Sequence, residues 1–159
     1  MSQSNFDHPF ERTSCACAGC VACCKRQPGP LVTGDFERIA AFIAERDGIT
    51  LSAAEDALRR QLWASPGSVV KDLSTGATRR IGSITPRFKK GRCVFLNEND
   101  RCNIWAVSPF GCAFFDTHMP REMSNERSVW AAQQMDKPAY QALRDTLPMA
   151  THYKPNYNT

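Results

Sequence analysis

The eleven residues from Ser14 to Cys24, Ser-Cys-Ala-Cys-Ala-Gly-Cys-Val-Ala-Cys-Cys, carry five thiols, and three more cysteines stand far downstream at Cys93, Cys102 and Cys112. This is the pattern of a metal site, and it constrains the fold: the later segment must return so that all eight sulfurs serve one site or two adjacent ones. Cys17, Cys20 and Cys23 follow one another at C-x2-C-x2-C, a step that turns successive thiolates toward a common centre, as in zinc ribbons and bacterial ferredoxins. The ferredoxin run would continue with a fourth cysteine followed by proline, and here that place is Gln27-Pro28. The shell must therefore be closed from elsewhere, with Cys15, Cys24, Cys93, Cys102 and Cys112 as candidates. All-thiolate sets suit zinc, iron–sulfur clusters and copper(I), whereas calcium and magnesium want oxygen.

A chain of 159 residues, 42% hydrophobic and 23% charged, reads as one domain over its whole length, with flexible ends at 1–13 and 151–159. Met1–Thr13 has no apolar run of the signal-peptide kind, and no stretch approaches the roughly 20 apolar residues of a membrane span. The expectation is a protein of the cytoplasm, where thiols stay reduced and a cysteine cluster points to metal rather than to disulfides. The vicinal pair Cys23 and Cys24 also cannot bridge without strain. A net charge of +4 is too modest to argue for nucleic acid or a membrane surface. The cations Arg79, Arg80, Arg87, Lys89, Lys90 and Arg92 are concentrated enough to meet a protein or peptide partner, although a charge run is more often a solvated face.

The remaining chain reads as a small, mostly helical α+β domain with a short β-hairpin. Pro28-Gly29-Pro30 releases the backbone from the cysteine loop. Phe36, Ile39, Ala40 and Ile43 recur at helical spacing from Thr33 to a stop at Gly48. A second helix begins near Ser52, with Glu55 completing a capping box and Leu58, Leu62 and Trp63 on its apolar side. Ser65-Pro66-Gly67 is a turn, and Val69–Leu73 and Thr78–Ile84 form the hairpin. The polar residues 97–100 turn the chain so that Cys93 and Cys102 lie on two arms, and Pro109 and Gly111 bend Cys112 back toward them. Helices follow from Ser124 and from Pro138.

The cysteine loop, the Cys-x-Phe-Leu turn at Cys93, the Cys-x-Ile-aromatic step at Cys102 and the Pro-x-x-Cys ending at Cys112 resemble the YkgJ-type cysteine-cluster family, also called CxxCxxCC. The resemblance covers about residues 14 to 115. It implies a zinc- or iron-chelating domain whose cysteines match Cys17, Cys20, Cys23, Cys24, Cys93, Cys102 and Cys112, with Cys15 as an eighth. A flagellin lysine methylase has been linked to this domain, which implies that some relatives modify peptides or carry an iron–sulfur cluster. The chain departs from the family where Ser108 replaces an arginine, Trp105 a tyrosine and Ala113 a basic residue.

No glycine fingerprint for a nucleotide, no Ser-His-Asp order and no His-Glu-x-x-His helix is present, so methyl transfer from a nucleotide-like donor and hydrolysis find no support. His118, beside Asp116, could lend a nitrogen ligand, whereas His8 and His152 sit near the ends. Phe95, Trp105, Phe110, Phe114 and Phe115 flank the late cysteines as core or as an apolar jacket. Three functions remain open: a zinc- or iron-binding protein, an iron–sulfur redox protein or accessory subunit of a peptide-modifying enzyme, and an interaction module with a structural metal.

Overall fold

The computed structural model describes residues 8, 10–13, 23–26, 28–116 and 118–150. Cys15, Cys17 and Cys20, the polar ends 1–7 and 151–159, and His152 lie outside these residues.

Helix α1, Asp35–Asp47, forms where the sequence spacing asks for it and buries Phe36, Ile39, Ala40 and Ile43 on one face. Gly48 ends it in the left-handed conformation at φ 64°, its N–H returning to the Ala44 carbonyl. Helix α2, Leu51–Arg59, starts earlier than its expected Ser52 cap. Thr50 is extended and its hydroxyl accepts the Ala53 N–H at 3.1 Å, which leaves Ser52 already inside the helix. Leu62 and Trp63 consequently belong not to this helix but to the next strand.

Strands β1, Leu62–Lys71, and β2, Thr78–Pro86, pair antiparallel from Leu62↔Pro86 to Lys71↔Thr78. The hairpin is longer than its sequence suggests because Ser65-Pro66-Gly67 does not end a strand. The register shifts between Ser65 and Ser68, so the three residues make a bulge. Gly67 is required there: it sits at φ 81° and its backbone presses on the Ile81 carbonyl. Two-residue strands β3, Phe88–Lys89, and β4, Arg92–Cys93, are joined by Lys90 and Gly91, both at positive φ, the geometry of a tight hairpin turn.

Three further helices are α3, Phe110–Ala113, α4, Arg121–Met135, and α5, Pro138–Asp145. The described residues thus form five α-helices beside small antiparallel sheets, an α+β fold. None of the helices among them is long and apolar enough to cross a membrane.

Two buried polar groups lock this arrangement to the cysteine segments. Asp35, 1% exposed, accepts N–H bonds from Val32 and Phe110 and pairs with Arg38, tying α1 to the start of α3. Burial raises its carboxyl above the ordinary range, against the pull of Arg38 and the two N–H groups. The Tyr140 hydroxyl accepts the Ile84 N–H at 2.8 Å and donates to the Leu31 carbonyl at 2.7 Å, joining α5, β2 and the chain leaving the cysteine loop.

Candidate metal centre

The late cysteines occupy three different local structures. Cys93 ends β4 opposite Phe88 and is buried. Cys102 follows a turn in which Asn97 N–H reaches the Arg101 carbonyl, and it pairs with Leu96 rather than with the strand of Cys93. The polar turn at 97–100 forms as expected, and the chain on either side of it pairs antiparallel, the Asn103 N–H reaching the Phe95 carbonyl, with Cys93 one turn before the paired stretch. The Lys90-Gly91 turn sets Cys93 opposite Phe88 in β4. Cys112 lies in the short helix α3.

The chain that follows the early cysteines meets the last one at a seam between two glycines. The Gly111 N–H donates to the Pro30 carbonyl at 2.9 Å, and the Gly29 N–H donates to Cys112 Sγ at 3.2 Å. A Cβ on Gly29 would lie 2.1 Å from the Gly111 carbonyl carbon, and one on Gly111 would lie 2.2 Å from Pro30 Cδ. Only two residues without side chains permit this approach. Pro28-Gly29-Pro30 thus packs directly on the segment of the last cysteine.

Just upstream, Cys23–Lys25 makes a single 3-10 turn with Cys23 exposed and Cys24 half-buried. Lys25 pairs with Asp100 at 3.0 Å, and Asp100 also meets Arg92 at 2.7 Å, so this turn is tethered to the segment between Cys93 and Cys102. Lys25 and then Arg92 hold the Asp100 carboxyl below its usual range.

Charge on Cys24, Cys93 and Cys102 bears on the titration of the buried thiols. Burial pushes the Cys112 thiol well above its ordinary range, the Gly29 N–H opposes this, and negative charge on Cys93, Cys24 or Cys102 pushes it further. Burial likewise pushes Cys93 up to about 12, with Cys24 and Cys102 adding in the same direction. Cys102 is raised by burial and lowered by an N–H at Ile104 and by Arg12. Such thiols stay protonated at neutral pH until a cation displaces the proton. Cys23, Cys93, Cys102 and Cys112 are free thiols. Among the described residues no three His, Cys, Asp or Glu side chains form a group able to hold a metal ion by themselves. The donor type nevertheless suits a soft or borderline metal, and one sulfur already receives the backbone N–H that a thiolate ligand uses.

Arg12 is the residue that spacing could not reveal. Its guanidinium lies 4.2 Å from the centre of the Trp105 ring and donates to the carbonyls of Trp105 and Ala106 and, at 2.9 Å, to Ser108 Oγ. Its charge acts on Cys102 and Cys112. A cation thus stands against Ser108 although the chain has no arginine at that position. The segment carrying it is held by Thr13 N–H on the Ala113 carbonyl at 3.0 Å. Buried Arg127 adds bonds to the carbonyls of Glu11 and Phe114.

Around α3 the aromatic residues form core: Phe95, Phe110 and Phe114 are buried, and the Phe110 and Phe114 rings stack at 5.0 Å. His8 joins this cluster, its ring centre 4.5 Å from that of Phe114 and the two planes perpendicular. Trp105, at 59% exposed, is the exception to an apolar jacket. His118 is exposed, with its backbone N–H on Asp116. In the basic run Arg79 pairs with Asp136, Arg92 with Asp100, and Arg87 donates to the Leu62 carbonyl.

A family model, CxxCxxCC, described as "Putative zinc- or iron-chelating domain", matches residues 16–137. The chain belongs to the CxxCxxCC family. The matched span takes in both cysteine segments and runs to the end of α4, beyond the last cysteine motif. Cys15 and Arg12 precede it, and α5 follows it. The description of the CxxCxxCC family supports metal binding in general and names zinc and iron alike. No curated protein and no solved structure matches the chain.

Proposed function

We propose that the chain chelates zinc or iron through thiolates drawn from both cysteine segments. Cys24, Cys93, Cys102 and Cys112, together with Cys15, Cys17, Cys20 and Cys23 of the loop, supply the sulfurs. The observation that carries this reading is the seam at Gly29 and Gly111, where the two segments touch through backbone and an N–H already points at Cys112 Sγ. A bound ion would cross-link the segments and, if iron, offer one-electron chemistry. The thiols release their protons on loading, the Gly29 N–H stabilises the charge left on Cys112, and Arg12 offsets part of the remainder. The cytoplasm, with its reduced thiols, suits such a site.

An iron–sulfur cluster, in a redox protein or an accessory subunit of a peptide-modifying enzyme, is the second reading. Burial of Cys93 and the N–H···S bond to Cys112 favour it, because hydrogen bonds and solvent exclusion tune cluster potentials. The interaction reading has less to draw on, since Arg79, Arg87 and Arg92 are engaged within the fold.

Purification without air, followed by elemental analysis and visible absorption, tests both. Stoichiometric metal that is lost in Cys93→Ser and Cys112→Ser is the expected result. Colourless protein with zinc and no iron would end the cluster reading, and a folded protein that takes up neither metal would end both.

A further inference from the structure

On the face of α4 turned toward the β1–β2 hairpin lies a cavity of about 440 Å³, within the range of small-molecule sites. It exists because of what α4 presents there. Ser124, Ser128, Ala131 and Ala132 line it with small side chains where a helix packed directly on a sheet would offer larger ones. Phe110, Ile81 and Met135 form an apolar floor.

Among the described residues the charge lining this cavity has one sign: Lys71 and Arg121 line it, and neither Asp nor Glu does. Of the acids next in sequence to lining residues, Asp72 accepts from Ser74 within its own loop, Asp136 pairs with Arg79, and Glu122 follows Arg121 in the first turn of α4. Arg121 is also the first residue of a 15-residue helix whose cap, Pro120, provides no side-chain acceptor. The positive end of that helix and the guanidinium therefore coincide.

We infer that this cavity binds a small amphipathic anion, a carboxylate or phosphate carried on an apolar body. The headgroup is met by Lys71 and Arg121, and the body lies over Phe110, Ile81 and Met135. Serine hydroxyls of α4 supply the neutral donors that orient it. Gly111 forms part of the wall, so the occupant rests one residue from Cys112, and no described cysteine lines the cavity.

Isothermal titration of the full chain, metal content as purified, with decanoate, decyl phosphate, decanol and decyltrimethylammonium tests this. One saturable site per chain is expected for an anion, at least about tenfold tighter than for the cation. Lys71→Ala combined with Arg121→Ala should weaken the anion about tenfold and leave decanol unchanged. Ser128→Phe, at a half-buried position, should fill the cavity and abolish binding with the circular dichroism spectrum retained. Whichever of decanoate and decyl phosphate binds tighter names the headgroup. Equal binding of anion and cation, binding that survives Ser128→Phe, or no saturable binding would overturn the inference, and none of these results depends on whether the thiols hold metal.

Discussion

Arg12 shows how much a single cation can be asked to do beside a set of thiols. A thiolate shell around a divalent ion carries net negative charge, and each further sulfur makes the next deprotonation harder. A guanidinium fixed by three acceptors at 105–108 lowers that cost without becoming a ligand. Arg12→Gln should therefore weaken zinc affinity by about tenfold, the scale expected for groups just outside a ligand shell. Competition against a chromophoric chelator measures it. Arg12→Lys should recover part of the loss, and the circular dichroism of both should match the parent; equal affinities in all three would remove the role. Neither periodicity nor motif spacing could single out this residue, because its partners are more than ninety positions away.

At the scale of elements the decisive object is the glycine seam. Gly111→Ala sets a methyl group against the Pro30 ring, and the expected cost is about 2 to 4 kcal/mol in urea unfolding with early and late cysteines forced apart. Gly76→Ala is the control: it sits at φ 73° with nothing near its missing Cβ, so only about 1 kcal/mol of backbone strain is expected. If both cost the same, the seam does not hold the segments. Much of this level was legible in the sequence. The 3.6-residue spacing of Phe36 to Ile43 and the stop at Gly48 fixed α1 because both signals are local. Ser52 and Ser65-Pro66-Gly67 misled because equally local alternatives competed. Thr50 offered a cap two residues earlier, and a Pro-Gly pair can bulge a strand as well as end it. The cysteine loop announced its chemistry through composition alone. That Gly29 belongs against Gly111 is a long-range fact, and only the fold could disclose it.

For the whole molecule, the buried thiols make stability depend on pH in opposite ways with and without metal. Folding raises Cys93 to about 12 and also raises Cys102 and Cys112. The folded metal-free chain therefore holds protons that the unfolded chain gives up near about pH 8.5. Its stability should be constant below that value and fall as pH rises through the interval up to the folded values. Metal uptake, which expels the same protons, should instead strengthen with rising pH. Urea midpoints of metal-free and zinc-loaded protein across this range check the prediction; a midpoint of the metal-free chain that holds steady up to pH 11 would refute it.

The last stretch of chain carries a different lesson. Beyond residue 137, where the family match stops, Arg144 donates to the carbonyls of Ser65 and Ser83, and Pro148 and Ala150 bond to both sides of Ala64. The stretch that matches the family and the stretch that completes the bonding of β1 therefore do not end at the same residue. A piece cut at the homology border would expose one edge of β1 and forfeit the brace that α5 lays across the bulge.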